Sequence, residues 1–399
     1  MNNEEIKGVP GFRFAACSAG LKKSGRPDLA LIVSDVPARC AGVFTTNKVV
    51  AAPVQITLPR VRNGRCQAIL VNSGNANACT GEQGRRDSLR SGALAAAALG
   101  IDEELVAVSS TGVIGVPLAM DKFEQHVAPL AGQLQPDCAD LVTAAIMTTD
   151  SFAKRYAVTG EVAGRPYRIL GVAKGAGMIH PNMATMLAFV MTDADLDGVF
   201  ADSALRSGAD RSFNSITVDR DTSTNDMVLL LANGVAGNPP IVADSAAGRQ
   251  FQALLDEVLL ELAKMIVRDG EGATKLVRIL VQGAASDAEA KLAACSVATS
   301  NLVKTAFFGQ DANWGRIIAA VGYSGAQVDP ERVGICFGDV PVVENGLGTG
   351  KELEARATEV LKTPEFTVTV DLHLGQGQAH YYTSDLTYDY VKINADYRS

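Results

Sequence analysis

Clustered basic residues, metal-ligand spacings and long apolar runs are all scarce in this chain of 399 residues. Acidic side chains outnumber basic ones by 44 to 36, and no stretch concentrates Lys and Arg. A phosphate backbone is held by clustered cations, so the composition argues against nucleic acid as a partner. The four histidines, His126, His180, His373 and His380, form no HxxxH pair, which argues against a zinc enzyme of that type. Seven cysteines are scattered, an odd number without a CxxC pair. They read as small buried residues in a reducing compartment, and the expected location is the cytoplasm. The opening "MNNEEIKGVPGF" has neither a basic n-region nor an apolar h-region, so no secretory signal is expected. The run "MLAFVM" is far too short to span a bilayer, and no membrane partner is expected.

What is present is a folding composition. Hydrophobic residues make up 47% and charged residues 20%, and the length suits two or three domains. "CQAILVNSGNANACTG" reads as a strand and a Gly/Asn turn, followed by an alanine-rich helix from Arg85 to Leu99. In "LVAVSSTGVIG" a strand is expected to end in a turn at Ser109–Gly112. Helices are expected over 120–134 and 139–147, then two strands joined by a turn at Ala163 and Gly164. From Asp244 to Val267 the apolar residues recur at helical spacing, and "RDGEGATK" then stops the helix and presents Glu271 on a loop. The last hundred or so residues suggest helices at 286–307, 314–321 and 351–362, with strict alternation in "FTVTVDLHLG". Strands and helices come in runs, which points to an α+β chain.

Two stretches invite chemistry. The loop "GVAKGAGM" is neither GxxxxGK[ST] nor GxGxxG leading into a long helix, so it is a poor nucleotide site. Seven residues after that loop, "HPNMATMLAFV" places Thr185 before an apolar strand. The simpler account is that a β-branched residue suits a strand. A chemical account is also open. Threonine becomes a nucleophile when its own free α-amine acts as the base. Cleavage of the Ala184–Thr185 bond by an N-to-O acyl shift would supply that amine. The small Ala184 and the Gly- and Pro-containing turn before it suit such a shift. Acyl transfer also needs donors aimed at a developing oxyanion, and Thr111 and Gly112 in "SSTGVIG" could provide them.

Six blocks carry a resemblance to a known family: "MTTD" at 147–150, "AKGAGMIHPNMATMLAF" at 173–189, "DRDTSTNDMV" at 219–228, "RDGEGATK" at 268–275, "DANWGRI" at 311–317 and "DLTYDYVKINADYRS" at 385–399. Together and in this order, they resemble the ornithine acetyltransferase family, also called glutamate N-acetyltransferase, of arginine biosynthesis. The resemblance implies a layered αββα sandwich of the self-processing N-terminal-nucleophile-like type, with a smaller C-terminal α+β domain. The expected division is 1–280 and 281–399, with 195–275 as a candidate separate lobe. It also implies self-cleavage between Ala184 and Thr185 into chains 1–184 and 185–399, which assemble as a heterotetramer of two of each. Thr185 would carry acetyl from N-acetylornithine to glutamate, with Thr111 and Gly112 as the oxyanion hole. Thr148, Lys174, Thr185, Glu271, Asn394 and Ser399 would hold the substrates.

These roles suit the side chains. An α-carboxylate pairs with Lys174 and hydroxyl donors, and the distal ammonium of ornithine pairs with Glu271. No metal or prosthetic group is implied, and acetyl-CoA is a further candidate donor, for which no binding motif is legible. The chain departs from the family pattern at Ser151, which stands where threonine is usual, and in "FAKR", which lacks the usual proline before its lysine. His180, five residues before the scissile bond, is a subsidiary candidate as a base. Two other readings stay open here: a self-processing aminopeptidase or amidase with water as acceptor, and a non-catalytic amino-acid-binding protein.

Overall fold

The computed structural model describes residues 5–180 and 186–396. Apolar runs near the start form β1 (Phe12–Cys17) and the 16-residue β2 (Leu29–Phe44), followed by α1 (Ala52–Arg62) and β3 (Arg65–Asn75). Next come α2 (Gly81–Leu99), β4 (Val106–Val113), α3 (Met120–Ala131) and α4 (Ala139–Ile146). The hairpin β5 (Lys154–Val162) and β6 (Arg165–Lys174) turns at Ala163 and Gly164, both at positive φ, as a tight hairpin requires. Then follow β7 (Leu187–Thr192), α5 (Gly198–Arg211), β8 (Ile216–Thr217), β9 (Met227–Ala232) and α6 (Ala246–Arg268).

The strands of this first part hydrogen-bond in the order β4-β3-β2-β9-β7-β6-β5, with β1 on β2. One bend turns this ribbon into two layers. Leu29–Val33 of β2 lie between β1 and β3, whereas Arg39–Phe44 pair with β9, and the register shifts between Val33 and Ala38. Such an irregularity sharpens the local twist and bends the strand. The ribbon therefore closes on itself around one core, where Phe14, Ile32, Ile69 and Val71 meet Val172, Phe189, Leu229 and Leu231.

Alternation sends the neighbouring residues outward. On one outer face Leu31, Leu70 and Val108 pack with Ala95 of α2 and Phe123 of α3. On the other, Ile169, Val190 and Leu230 pack with Leu205 of α5 and Leu259 of α6. The layers run helix, sheet, sheet, helix, which is the expected αββα sandwich. Strands β7 and β9 are parallel neighbours buried on both faces, and their unbroken apolar sequences follow from that.

The rest of the chain contains β10 (Leu276–Ala284), α7 (Asp287–Thr299), α8 (Asn301–Phe308) and α9 (Trp314–Gly322). Strands β11 (Gly334–Phe337), β12 (Val340–Glu344) and β13 (Leu347–Gly348) come next, then α10 (Lys351–Leu361), β14 (Glu365–Asp371), β15 (Gly377–Ser384) and α11 (Tyr388–Asp396). The second sheet has the order β13-β12-β11-β14-β10-β15-β8. Val277, Ile279 and Val281 of β10 pack there on Ala293 and Val297 of α7. Its edge strand β8 comes from the earlier part of the chain, and Leu276 and Tyr382 join the core under α5 and α6. Among the described residues, no helix is long and apolar enough to cross a membrane.

Two local expectations need correction. The helix expected over 286–307 is two helices, because Ser300 takes an extended conformation and its hydroxyl accepts from Val303 N, capping α8. The turn expected at Ser109–Gly112 is strand: β4 runs on to Val113 beside β3. A local reading saw Ser, Thr and Gly as turn formers, but parallel pairing with β3 satisfies their backbone groups instead.

Candidate active site

Five separated segments converge at the end of the sandwich. β4 delivers Thr111 and Gly112, the segment after α4 delivers Thr148, β6 ends at Lys174, the loop after α6 carries Glu271, and α11 carries Asn394. All six line one cavity of about 190 Å³. Thr185, its neighbour Ala184 across the expected scissile bond, and Ser399 lie outside the described residues.

Gly112 has a conformation and a surrounding that admit no side chain. Its φ is 132°, and a Cβ there would sit 2.4 Å from Gly74 C and 2.5 Å from Asn75 N. Asn225 ties these loops together, donating from Nδ2 to Ala76 O at 2.6 Å and to Ser110 O at 2.9 Å. Ser110 in turn donates to Asn72 Oδ1 at 2.6 Å. The Thr111–Gly112 corner is thus held rigidly on its strand, as an oxyanion site needs to be.

Lys174 is 2% exposed. Burial depresses its pKa, while Asp150, Glu271 and Asp226 oppose that shift by favouring the charged form. Asp150 Oδ2 lies 3.8 Å from Lys174 Nζ, and Oδ1 accepts from Lys154 Nζ at 2.8 Å. Burial alone would raise the Asp150 pKa, but the two lysines outweigh it and hold the carboxyl well below the usual range. Asp150 also accepts from Thr148 N at 2.8 Å and from Gly175 N at 2.6 Å. One carboxylate therefore sets the positions of both Thr148 and Lys174. Lys154 also pairs with Asp269, which accepts from Ser151 as well. Ser151 and Lys154 thus both belong to this buried network.

Glu271 faces Lys174 from the opposite part of the chain. Its Oε2 accepts from Asn394 Nδ2 at 2.8 Å, and its N–H donates to Ala176 O at 3.0 Å. Gly177 makes room for it, since a Cβ there would lie 2.5 Å from the carboxylate. The tail that carries Asn394 is docked: Thr387 Oγ1 donates to Gly272 O at 2.7 Å, and Asp385 accepts from Thr274 and Lys275 N–H groups. A cation at one wall and carboxylates at the other suit a zwitterionic amino acid.

Over residues 13–399 the chain matches the model of the ArgJ family. It belongs to that family. The arginine biosynthesis bifunctional protein ArgJ of Syntrophotalea carbinolica is 68% identical over 98% of this chain and 99% of its own. The protein of the same description from Geobacter sulfurreducens is 58% identical over 98% of this chain and 100% of its own. The crystal structure of arginine biosynthesis bifunctional protein ArgJ from Bacillus halodurans superposes with a TM-score of 0.51 at 46% identity, over 52% of this chain and 98% of the solved one.

Other residues of this ArgJ-family site escaped the sequence reading. Asp150, Asp219, Asn225 and Tyr390 stand inside the motif blocks, where nothing local distinguishes them. Asp219 accepts from Met178 and Ile179 N–H groups at 2.6 and 2.8 Å, and burial pushes its pKa up to about 6. It thereby fixes the loop between Lys174 and residue 180. His180 stands 3.3 Å from Thr217 Oγ1, and burial aided by Arg220 pushes its pKa down to about 4, leaving the ring neutral at pH 7. Spacing alone could not have revealed the partners of Asp219, Asn225 and His180, because each of these contacts joins segments distant in sequence.

Proposed function

We propose that this chain transfers acetyl from N2-acetyl-L-ornithine to L-glutamate in arginine biosynthesis. The reaction passes through an acetyl ester on Thr185, after self-cleavage between Ala184 and Thr185. The observation that carries this reading is the convergence of Thr111, Gly112, Thr148, Lys174, Glu271 and Asn394 on one cavity. Membership of the ArgJ family favours transfer over the hydrolytic alternative. A match that uses 98% of the solved Bacillus halodurans chain takes only 52% of this one. That proportion fits a precursor cut near its middle, into chains 1–184 and 185–399.

In the first half-reaction the Thr185 hydroxyl attacks the acetyl carbonyl while its own amine takes the proton. The Thr111 hydroxyl and Gly112 N–H stabilise the oxyanion. The C–N bond then breaks, the proton passes to the departing α-nitrogen, and ornithine leaves. Glutamate repeats the steps in reverse. Lys174 and Thr148 hold the α-carboxylate of either substrate, and Glu271, steadied by Asn394, takes the distal ammonium of ornithine. Ser399 completes the set from the tail. Acetyl-CoA serves as a second donor, in keeping with the description of the relatives as bifunctional. The reaction calls for no metal or prosthetic group, and the processed chains work as a cytoplasmic heterotetramer.

Purified protein tests the reading on a denaturing gel and by assay. Two bands that merge into one in Thr185→Ala are expected, together with acetylglutamate that forms from N-acetylornithine only when glutamate is present. Equal acetate release with and without glutamate would show hydrolysis instead. Acetyl-CoA as sole donor tests the second activity.

A further inference from the structure

The cavity must admit two substrates whose far ends differ in charge. On the transfer reading above, N-acetylornithine brings one carboxylate and a distal ammonium, whereas glutamate brings two carboxylates. Asp219, Asp221 and Glu271 line the cavity, and among the described residues Lys174 is the single lysine or arginine that does so. The α-carboxylate engages Lys174 in either case. The second carboxylate of glutamate is then left facing a wall of like charge, which opposes binding unless a positive charge lies near.

Lys304 of α8 supplies one from behind that wall. It is buried. Its three N–H donors go to Thr383 Oγ1 at 2.9 Å, to Ser384 Oγ at 3.1 Å and to Ser384 O. All three acceptors are neutral, so no carboxylate cancels the charge in contact. The charged groups whose fields reach it are Asp385 and Asp219. Both carboxylates are occupied elsewhere: Asp385 accepts from Thr274 and Lys275 N–H groups, and Asp219 from those of Met178, Ile179 and Asp221. The segment that Lys304 holds also reaches the wall directly. Leu386 N donates to Lys304 O at 3.2 Å, and Thr387, next along, docks on Gly272 beside Glu271.

We propose that Lys304 is a positioning residue for specificity: its buried charge, set behind Asp219 and Asp385, offsets the acidic wall so that one cavity admits the distal carboxylate of glutamate as well as the distal ammonium of ornithine. This rests on the transfer reading. In a dry interior such a field is weakly screened and acts beyond contact distance. A cation on the wall itself would pair with Glu271 and repel ornithine. Behind the wall, it leaves Glu271 free to meet the ornithine ammonium while lowering the net negative charge that glutamate meets. Burial pushes the Lys304 pKa down to about 7, opposed by Asp385 and Asp219. The charge is therefore fully present only below that pH.

The test is the ratio of KM for glutamate to KM for N-acetylornithine in the assembled enzyme. A two-step transfer has one kcat for both substrates, so this ratio compares the two half-reactions directly. At about pH 6.5, Lys304→Met is expected to raise the ratio by about 3–10-fold, chiefly through glutamate. Lys304→Gln should do the same, and Lys304→Arg, which keeps the charge, should return the ratio toward that of the parent. A purely structural role would weaken both substrates together. Soluble neutral variants with an unchanged or lowered ratio therefore overturn the proposal. Should both be insoluble, the unaltered protein replaces them: its ratio should rise by about 2–5-fold from about pH 7 to about pH 8.5 as the ammonium loses its proton. A constant ratio there is equally fatal. Failure of the unaltered protein to form acetylglutamate from N-acetylornithine and glutamate would instead remove the transfer reading itself.

Discussion

At the scale of single residues, the proposed reaction separates groups that act on charge in the transition state from groups that hold the substrate throughout. Under that proposal Thr111 belongs to the first kind, as its hydroxyl would meet charge that develops only as the acetyl carbon becomes tetrahedral. Thr111→Val is therefore expected to lower kcat by about 10²–10³-fold with little change in KM for N-acetylornithine, measured in steady state. Lys174 belongs to the second kind. Its charge is kept in a buried place by Asp150, so its attraction for a carboxylate is poorly screened. Lys174→Met should raise KM for both substrates by about 10–100-fold, the range of one charge-assisted hydrogen bond, with a smaller effect on kcat.

At the scale of elements, what matters is which segments were readable alone. The helix expected from Asp244 to Val267 is α6, because an apolar stripe facing a sheet leaves its period in the sequence. The hairpin at Ala163 and Gly164 was equally legible, since turn chemistry is local. The strand through Ser109–Thr111 was not, because it pairs with Val71–Ser73 of β3, in a distant part of the chain. Helix α11 shows the same divide. None of its residues is buried, so its sequence offers no core-facing stripe, and its place is set by the contacts of Thr387 and Asn394 with the Glu271 loop. Deleting residues 388–399 should leave the thermal midpoint within a few degrees of the parent, while raising KM for N-acetylornithine at least tenfold. A large fall in the midpoint by calorimetry would mean that the tail is part of the core after all.

At the scale of the whole molecule, α8 carries a buried cation against the second sheet. Lys304 donates from Nζ to Thr383 Oγ1 at 2.9 Å and to the backbone and hydroxyl of Ser384. Burial pushes its pKa down to about 7, against the opposing charges of Asp385 and Asp219. Between that value and the 10.5 of an ordinary lysine, the unfolded chain binds a proton that the folded chain lacks. Stability therefore rises with pH across this window and is lost as pH falls toward 7. Lys22, lowered to about 8, acts in the same direction. Chemical denaturation at about pH 7 and about pH 8.5 should show the higher midpoint at the higher pH, and Lys304→Met should flatten the difference.

The sequence by itself determined the class of the chain, most helices, the family blocks and six residues that turn out to line one cavity. Each of these depends on composition, on local periodicity, or on short strings whose order survives without any fold. Only the tertiary structure decided that β2 bends to make two layers, that Asp150 holds Thr148 and Lys174 together, and that Asp226 is buried where β7 meets β9. Those facts depend on which distant segments share a neighbourhood, and on how little water is left between them, and neither is written in any one stretch of the chain.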